Sequence, residues 1–379
     1  MRKLTRTLLT LGLAAVLLAA CTHAVTSSGI STTHQLVVED TERPAEAPRE
    51  RSSSESGQTR EVEEAAPAED ASPEELTVAV VSDLNGSYGS TDYHDEVHGA
   101  VDWLVEDIGP DLVVATGDMV AGQKRGLDYL AMWDGFHAAV TEPLARAGIP
   151  LAVTPGNHDA SAGAVYLEER VTYVEQWQRH RPDVRFVDDT FYPLHYAFEV
   201  GPALFISLDA TITGPIDAEQ RRWLDRVLSA HSDKAVKVVF GHVPLYPFSE
   251  ERKNEILDDR DLEALLREHG VDLMLSGHHH AYYPGKRDDL RLVSMACLGS
   301  GNRTLIGDDR PSEKSVALLR ISEDGEVSVE AYDAEDQARI ERGDLPAHLN
   351  SGRHRIWRDD VSQVAGRFRL NHPSDRRER

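Results

Sequence analysis

Residues 112–119 read Leu112-Val113-Val114-Ala115-Thr116-Gly117-Asp118-Met119. A short apolar, β-branched run that stops at a glycine followed by a carboxylate predicts a buried strand with a polar side chain at its carboxyl end. The same grammar recurs on both sides. Residues 76–82 run into Asp83-Leu84-Asn85-Gly86, and residues 151–154 lead to Gly156-Asn157-His158-Asp159. Residues 235–240 run into Gly241-His242-Val243-Pro244, and residues 271–275 lead to Gly277-His278-His279-His280. Runs 203–208, 291–298, 316–321 and 327–331 also read as strands, the last two as a hairpin with no helix between them. Helical patterns separate the others. Val97, Val101, Leu104, Val105 and Ile108 share one face. A second helix starts at Asp217, an N-cap residue, with Trp223, Leu224, Val227 and Leu228 inward. A third, 262–267, stops near Gly270. Strands alternating with helices give an α/β architecture whose helices cover sheet faces.

In open α/β sheets, sites collect outside the carboxyl ends of the strands. Five strands delivering Asp, Asp, Asn-His, His and His-x-His to one edge would assemble carboxylate, amide oxygen and imidazole. That donor set suits Mn, Fe or Zn better than Ca or a thiol-seeking ion. Taken singly, each piece is ordinary. A strand-end Asp is more often a turn or cap residue, and a lone His such as His242 is more often a satisfied buried histidine. Their joint order carries the reading.

With these motifs in this order, the chain resembles the calcineurin-like metallophosphoesterase family. That family's pattern is Asp-x-His, Gly-Asp, Gly-Asn-His-(Asp/Glu), a His after a later strand, and Gly-His-x-His; the resemblance covers roughly residues 76–300. Residues 220–228, with Gln220, Trp223 and Leu224, also look like the family's helix after the Asp209 strand. The resemblance implies a four-layer α/β/β/α sandwich and two divalent metal ions, Mn, Fe or Zn. It also implies hydrolysis of a phosphomonoester or phosphodiester by a metal-bridging hydroxide. Carried over residue by residue, Asp118 bridges both ions, Asp83 and His280 hold the first, and Asn157, His242 and His278 hold the second. His158 protonates the leaving oxygen, and Asp159 orients it. Two positions depart. Asn85 stands where the family has a His, so either its amide oxygen ligates or a water takes its place, giving a weaker first-metal site. Ala121 stands where purple acid phosphatases place a Tyr three residues after the bridging Asp, so no tyrosinate-to-iron charge transfer is expected.

Around these motifs, His279 reads as a neighbour of the ligands or a surface residue, because alternation turns it away from His278 and His280. The turn 299–303 could present Arg303 to phosphate, although a plain Gly-rich turn is the commoner explanation. Tyr88, Tyr93, Tyr246, Phe248, Tyr282 and Tyr283 either line a substrate pocket or pack the loops.

Residues 1–20 carry Arg2, Lys3 and Arg6 ahead of an apolar stretch, and Leu18-Ala19-Ala20-Cys21 closes it. This reads as a secretory signal and resembles a bacterial lipobox, implying a lipidated Cys21 as membrane anchor. Residues 21–75 are acidic and poor in large apolar groups, with seven acids and no base from Glu61 to Glu75, and read as a self-repelling tether. Residues 76–332 form the metallophosphoesterase domain, and 333–379 a polar extension ending in a basic tail. Cys297, without a partner, reads as a small buried hydrophobe. With 40 Lys+Arg against 65 Asp+Glu, the net charge of −25 argues against nucleic acid and polyanion partners and favours a small phosphate-ester substrate. The expected location is extracytoplasmic, on the lipid-anchored face of a bacterial cell envelope. The rival reading is a non-catalytic surface lipoprotein that uses the same fold to bind a partner or glycan. A hydrolase acting on a non-phosphate bond is disfavoured by the motif order.

Overall fold

A computed structural model of the chain describes residues 75–299 and 301–361. The first half runs β1 (Leu76–Val81), α1 (Asp95–Trp103), β2 (Leu112–Ala115), α2 (Tyr129–Phe136), α3 (Glu142–Arg146), β3 (Leu151–Val153), α4 (Asn157–Ala160) and α5 (Leu167–Arg179). It continues with β4 (Arg185–Phe191), β5 (His195–Val200), β6 (Ala203–Ser207), α6 (Ala218–Ala230), β7 (Val236–Gly241), α7 (Arg260–Glu268) and β8 (Leu273–Ser276). Strands β9 (Tyr283–Arg287), β10 (Leu290–Ser294), β11 (Ser315–Ile321), β12 (Val327–Asp333), β13 (His348–Ser351) and β14 (His354–Arg358) complete the described chain.

The strands form two sheets, one of order β12-β11-β1-β2-β3 and one of order β13-β14-β9-β10-β8-β7-β6-β5-β4. β1, β2 and β3 are parallel, as are β6, β7, β8 and β10. Parallel strands are covered on both faces, which is why these stretches are continuously apolar. Alternation within the second sheet separates two cores. Phe205, Val238, Phe240, Leu273 and Leu275 pack with Val78, Val80 and Val114 of the first sheet. Leu204, Ile206, Val239 and Met274 face Trp223, Leu224 and Leu228 of α6 and Leu262 and Leu266 of α7. α1 and α2 close the other side through Val97, Val101, Trp133 and Phe136. The result is the expected mixed α/β sandwich of helix, sheet, sheet and helix layers.

Local chemistry fixes the helix ends. Asp217 Oδ1 accepts from Glu219 N (2.7 Å) and Gln220 N (3.3 Å), capping α6 as its position predicts. Asp259 does the same for α7, whose end turns at Gly270 with φ 60°. The strand expected over 291–298 leaves its sheet after Ser294. The chain then crosses towards β1, where Leu298 N–H donates to the Ser82 carbonyl at 3.1 Å. The stretch after 332 does more than cover surface: β14 pairs with β9, β13 pairs with β14, and Leu349 and Ile356 are buried. Residues 1–74 and 362–379, with the signal, Cys21, most of the tether and the basic tail, lie outside the described residues.

Register levels the strand ends that matter. Val81 stands opposite Ala115, Ala115 opposite Val153, and Gly241 opposite Ser276. The turns that follow therefore emerge together at one edge of each sheet, and backbone bonds tie neighbouring turns within each edge and, through Gly299 and Asp83, the two edges to each other. Asp83 N–H donates to Gly117 O (3.0 Å), Gly277 N–H to His242 O (3.0 Å) and Gly299 N–H to Asp83 O (2.8 Å).

Candidate metal centre

Four of the residues singled out by sequence hold left-handed backbone conformations: Asp83 (φ 49°), Asp118 (φ 56°), His278 (φ 65°) and His280 (φ 50°). Non-glycine residues adopt this region at a cost of about 1–3 kcal/mol, and such strain gathers where function requires it. The adjoining glycines give the side chains room. A Cβ on Gly156 would overlap the Asp118 amide and Oδ1, and one on Gly117 would lie 2.7 Å from His242 Nδ1. The Gly-Asp and Gly-Asn-His motifs are thus one packing unit.

The first group pairs Asp83 with His280. His280 Nδ1 faces the Gly301 carbonyl at 2.9 Å and must be the hydrogen-bond donor there. Its Nε2 lies 3.0 Å from Asp83 Oδ1, yet that buried oxygen accepts no hydrogen bond from the described residues. Asp83 Oδ2 is already held by Ser82 Oγ (2.6 Å) and the His278 amide (3.0 Å). Burial raises the Asp83 carboxyl, but the His280 charge outweighs it and holds the group at about 2. Burial likewise lowers His280, and Asp83 overrides it, lifting the imidazole to about 10, with the Cys297 thiol adding to the rise. Cys297 is buried as a free thiol beside this candidate ligand.

The second group is built the same way. His242 Nδ1 donates to the Thr116 carbonyl at 2.9 Å, so its Nε2 is the outward atom. That nitrogen faces two oxygens, Asn157 Oδ1 at 2.9 Å and Asp118 Oδ2 at 3.3 Å. One ligand atom each from Asp118, His242 and His278 lies within 4.8 Å of the others, all three residues buried. His278 Nε2 donates to Glu255 Oε2 at 2.9 Å, which leaves the lone pair on Nδ1, where Arg252 Nη1 stands 2.9 Å away. Burial pushes His278 down to about 4. Burial also lowers His242, but Asp118 overrides it and raises the group to about 9, while Asp118 itself sits well below the usual carboxylate range.

Each group therefore sets a buried carboxylate against an imidazole Nε2, an arrangement that favours a positive charge between them. Without an ion, the imidazolium supplies that charge, as the raised His242 and His280 show. A divalent cation would supply it with neutral ring nitrogens as ligands. The donor set of carboxylate, amide oxygen and imidazole fits such an ion without thiolate.

Other expected residues fall in varied places. Asn85 is buried beside this edge. Its Nδ2 donates to Val120 O at a long 3.4 Å, so its Oδ1 is the atom left for a ligand. His158 donates from Nδ1 to Gly122 O (3.2 Å) and from its amide to Asp118 Oδ1 (2.8 Å), and brings Nε2 to 4.0 Å from Asp118 Oδ2. Asp159 does not orient this ring. Its carboxylate accepts the amides of Val120 (2.9 Å) and Gly156 (3.0 Å), tying two site loops together. Burial, then the Asp118 charge, raises it to about 8. His279 is fully buried rather than superficial. Its Nδ1 accepts from Phe248 N (3.0 Å) and its Nε2 donates to Glu255 O (3.0 Å), pinning the 248–255 loop. Of the aromatic residues near the motifs, Tyr88 is exposed and leans on His158, ring centroids 5.4 Å apart. Tyr93 donates its hydroxyl to Met119 O at 2.8 Å, and Tyr246, Phe248, Tyr282 and Tyr283 are buried and pack loops.

Sequence reasoning did not find Arg252, Glu255, Gln123 or Glu169. Arg252 Nη1 lies 2.9 and 3.0 Å from the two ring nitrogens of His278 and 3.1 Å from Glu255 Oε2. Gln123 Oε1 accepts from Asn157 Nδ2 at 3.1 Å. A polar loop residue carries no periodic signal. Gln123 sits five positions after Asp118, and that proximity is the one clue the sequence offers.

A family model for calcineurin-like phosphoesterases matches residues 76–282, and the chain belongs to that family. Among curated relatives, purple acid phosphatase 18 of Arabidopsis thaliana is 29% identical over 195 residues, which is 49% of this chain and 43% of the relative. The chain thus spans less than half of that relative's length. Among solved structures, a purple acid phosphatase from yellow lupin (Lupinus luteus) seeds superposes with TM-score 0.54 and 17% identity, covering 71% of this chain and 53% of that one. GAP50, the anchor in the inner membrane complex of Plasmodium, superposes with TM-score 0.50 and 15% identity, covering 70% and 87%. These likenesses show the fold.

Proposed function

We propose that the chain is a metal-dependent phosphoesterase that acts on small phosphomonoesters or phosphodiesters. The observation that carries this reading is the convergence of Asp83 with His280 and of Asp118 with Asn157, His242 and His278, with His280 Nε2 facing Asp83 Oδ1 and His242 Nε2 facing Asn157 Oδ1 and Asp118 Oδ2. Asp83 and His280 would hold one ion, Asn157, His242 and His278 the other, with Asp118 between them. Bound ions would neutralise the phosphoryl oxygens and make water nucleophilic near neutral pH.

The protein's own groups do the rest. His158 has Nδ1 fixed by Gly122, which leaves Nε2, 4.0 Å from Asp118 Oδ2, to deliver a proton to the leaving oxygen. Arg303 has a buried Nε without a hydrogen-bond partner among the described residues, and burial followed by the neighbouring Arg252 charge holds its guanidinium below the usual range. Two guanidiniums crowded beside the centre are relieved by an anion, and the phosphate of the substrate suits them. Acidic surface elsewhere disfavours extended polyanions. The same proposal places the enzyme outside the cytoplasm on a lipidated Cys21, a point that labelling with a tagged fatty acid in wild type and Cys21→Ser tests directly.

Hydrolysis of p-nitrophenyl phosphate and bis-p-nitrophenyl phosphate with Mn, Fe or Zn tests the activity, with chelator and His158→Ala as controls. Metal-dependent turnover that chelator abolishes is expected. A folded, metal-loaded protein that hydrolyses neither ester would return the chain to a binding role.

A further inference from the structure

Asn157 offers an oxygen and an NH₂ group that differ little in shape, and only the oxygen can ligate a cation. What decides which end faces His242 is its other partner. Asn157 Nδ2 donates to Gln123 Oε1 at 3.1 Å, which leaves Oδ1 at 2.9 Å from His242 Nε2. Gln123 is itself held in a left-handed conformation, φ 61°. Its amide donates to Glu169 Oε2 at 2.9 Å, and Glu169 Oε1 accepts the Tyr129 hydroxyl at 2.9 Å. Glu169 projects from α5, is 2% exposed, and has a carboxyl raised by burial. The residue before Gln123 serves the neighbouring group: Gly122 O accepts from His158 Nδ1 at 3.2 Å, and Gly122 N–H donates to His158 O at 3.1 Å. A Cβ on Gly122 would overlap that His158 carbonyl and lie 2.9 Å from Glu169 Oε2. One short loop thus sets both side chains of the Asn157-His158 pair, and Glu169 clamps the loop from outside the centre.

We propose that Gln123 is a positioning residue that fixes the amide of Asn157 oxygen-inward, and that Glu169 holds Gln123 in the conformation this requires. The inference rests on the metal-centre reading of Asn157. Without the Gln123 acceptor, both ends of the amide compete for the inner position and the site loses part of its oxygen donor. Partners one step removed from a ligand typically contribute about 10–100-fold to metal affinity.

The test is calorimetric titration of chelator-stripped full-length protein with Mn²⁺ alone, using Gln123→Met, Gln123→Glu and Glu169→Gln. Gln123→Met keeps the length and removes the acceptor; Mn²⁺ binding weakens about tenfold or more. Gln123→Glu keeps an oxygen acceptor and restores affinity to within about threefold of wild type. Glu169→Gln leaves one acceptor for two donors and falls between them. Melting temperatures in chelator stay together for the two Gln123 variants, which separates positioning from a general loss of structure. If Gln123→Met binds Mn²⁺ like wild type, or if both Gln123 variants weaken binding equally, the positioning role is overturned while the metal centre stands. If wild type itself binds no Mn²⁺, Fe²⁺ or Zn²⁺, the metal-centre reading fails and this inference with it.

Discussion

Two regions among the described residues bury imidazoles, and the pairs His242 and His280 in one and His137 and His180 in the other behave oppositely. At the strand ends, His242 and His280 are buried against Asp118 and Asp83, and the carboxylates raise them to about 9 and about 10. Beneath the helices, His137 stacks on His180 with ring centroids 3.7 Å apart and Trp133 and Trp177 around it. There burial dominates and pushes His137 down to about 4, and His180 is lowered as well. His137 Nε2 is buried without a partner among the described residues, while Nδ1 meets Thr141 Oγ1 at 3.0 Å. Burial is common to both regions. Among the described residues a carboxylate contacts the ring at His242 and His280 and none contacts His137. His278 lies between the two cases: Glu255 Oε2 is 2.9 Å from its Nε2, yet burial still lowers it to about 4, so the buried, uncompensated carboxylates Asp83 and Asp118 are what set His280 and His242 apart.

The sharpest way to break the contrast is to remove the carboxylate charge at constant shape. Asp118→Asn takes the charged acceptor from His242 and is expected to lower bound metal together with phosphate-ester turnover. The turnover loss should exceed that of any other single change at the centre. Metal content by atomic emission, set beside p-nitrophenyl phosphate hydrolysis, measures both; retained metal and turnover would show that the carboxylate is not the organising charge. His158→Ala comes next. Its ring contacts no ligand nitrogen, so metal content is expected to hold while turnover falls roughly 10²–10⁴-fold. Loss of metal in this variant would move His158 into the ligand set.

How much of this was legible beforehand divides along the same line. Every strand bearing a motif could be read, because a continuous apolar run and the turn residue after it are adjacent in the chain. The pairing of Asp83 with His280, and of Asp118 with His242, was legible only through the family resemblance, since register and sheet order decide which turns meet. Strands β4, β5, β9, β13 and β14 escaped because strands at and near a sheet edge are mixed in character. Arg185–Phe191 carries two aspartates, and Tyr283–Arg287 opens with Tyr283-Pro284-Gly285, which reads as a turn. The Gln123–Asn157 and Gln123–Glu169 bonds span 34 and 46 residues. No local pattern encodes a bond of that reach between polar groups. Asp159, which the family resemblance implied would orient His158, instead has its carboxylate sent by the turn to two backbone amides.

The helix-side pair sharpens the contrast through pH. The unfolded chain binds a proton at His137 below about 6.5, and the native protein does not until about 4. Between these values the unfolded state holds more protons, so stability rises with pH across the window and is lost as pH falls through it. Full passage is worth about 2–3 kcal/mol after allowance for relaxation of the site. His180 faces the ring from the end of α5, with Glu142 and Arg179 as its charged neighbours, and it adds in the same direction. His137→Phe preserves the stack and removes the titration; its melting temperature is expected to drop less than that of wild type between pH 7 and pH 5. Equal drops would assign acid sensitivity to other groups.

The smallest effect puts the comparison itself to work inside the centre. Asn85 is 7% exposed, at the same edge as Asp83, and its amide is held by one long bond to Val120 O. Asn85→His places a new imidazole in that buried position. Were burial alone decisive, the ring would behave like His137, staying neutral and contributing nothing but crowding. Beside Asp83, whose Oδ1 accepts no hydrogen bond from the described residues, the ring nitrogen is instead expected to join the ligand set as a stronger donor than the amide. Mn²⁺ affinity should then rise by up to about tenfold, with turnover kept within a small factor, because imidazole nitrogen is a stronger donor than an amide oxygen. Calorimetric titration and ester hydrolysis on the same preparation decide it. A joint fall in bound metal and activity would mean that the edge is already complete with Asn85 and that the added ring displaces what it was meant to strengthen.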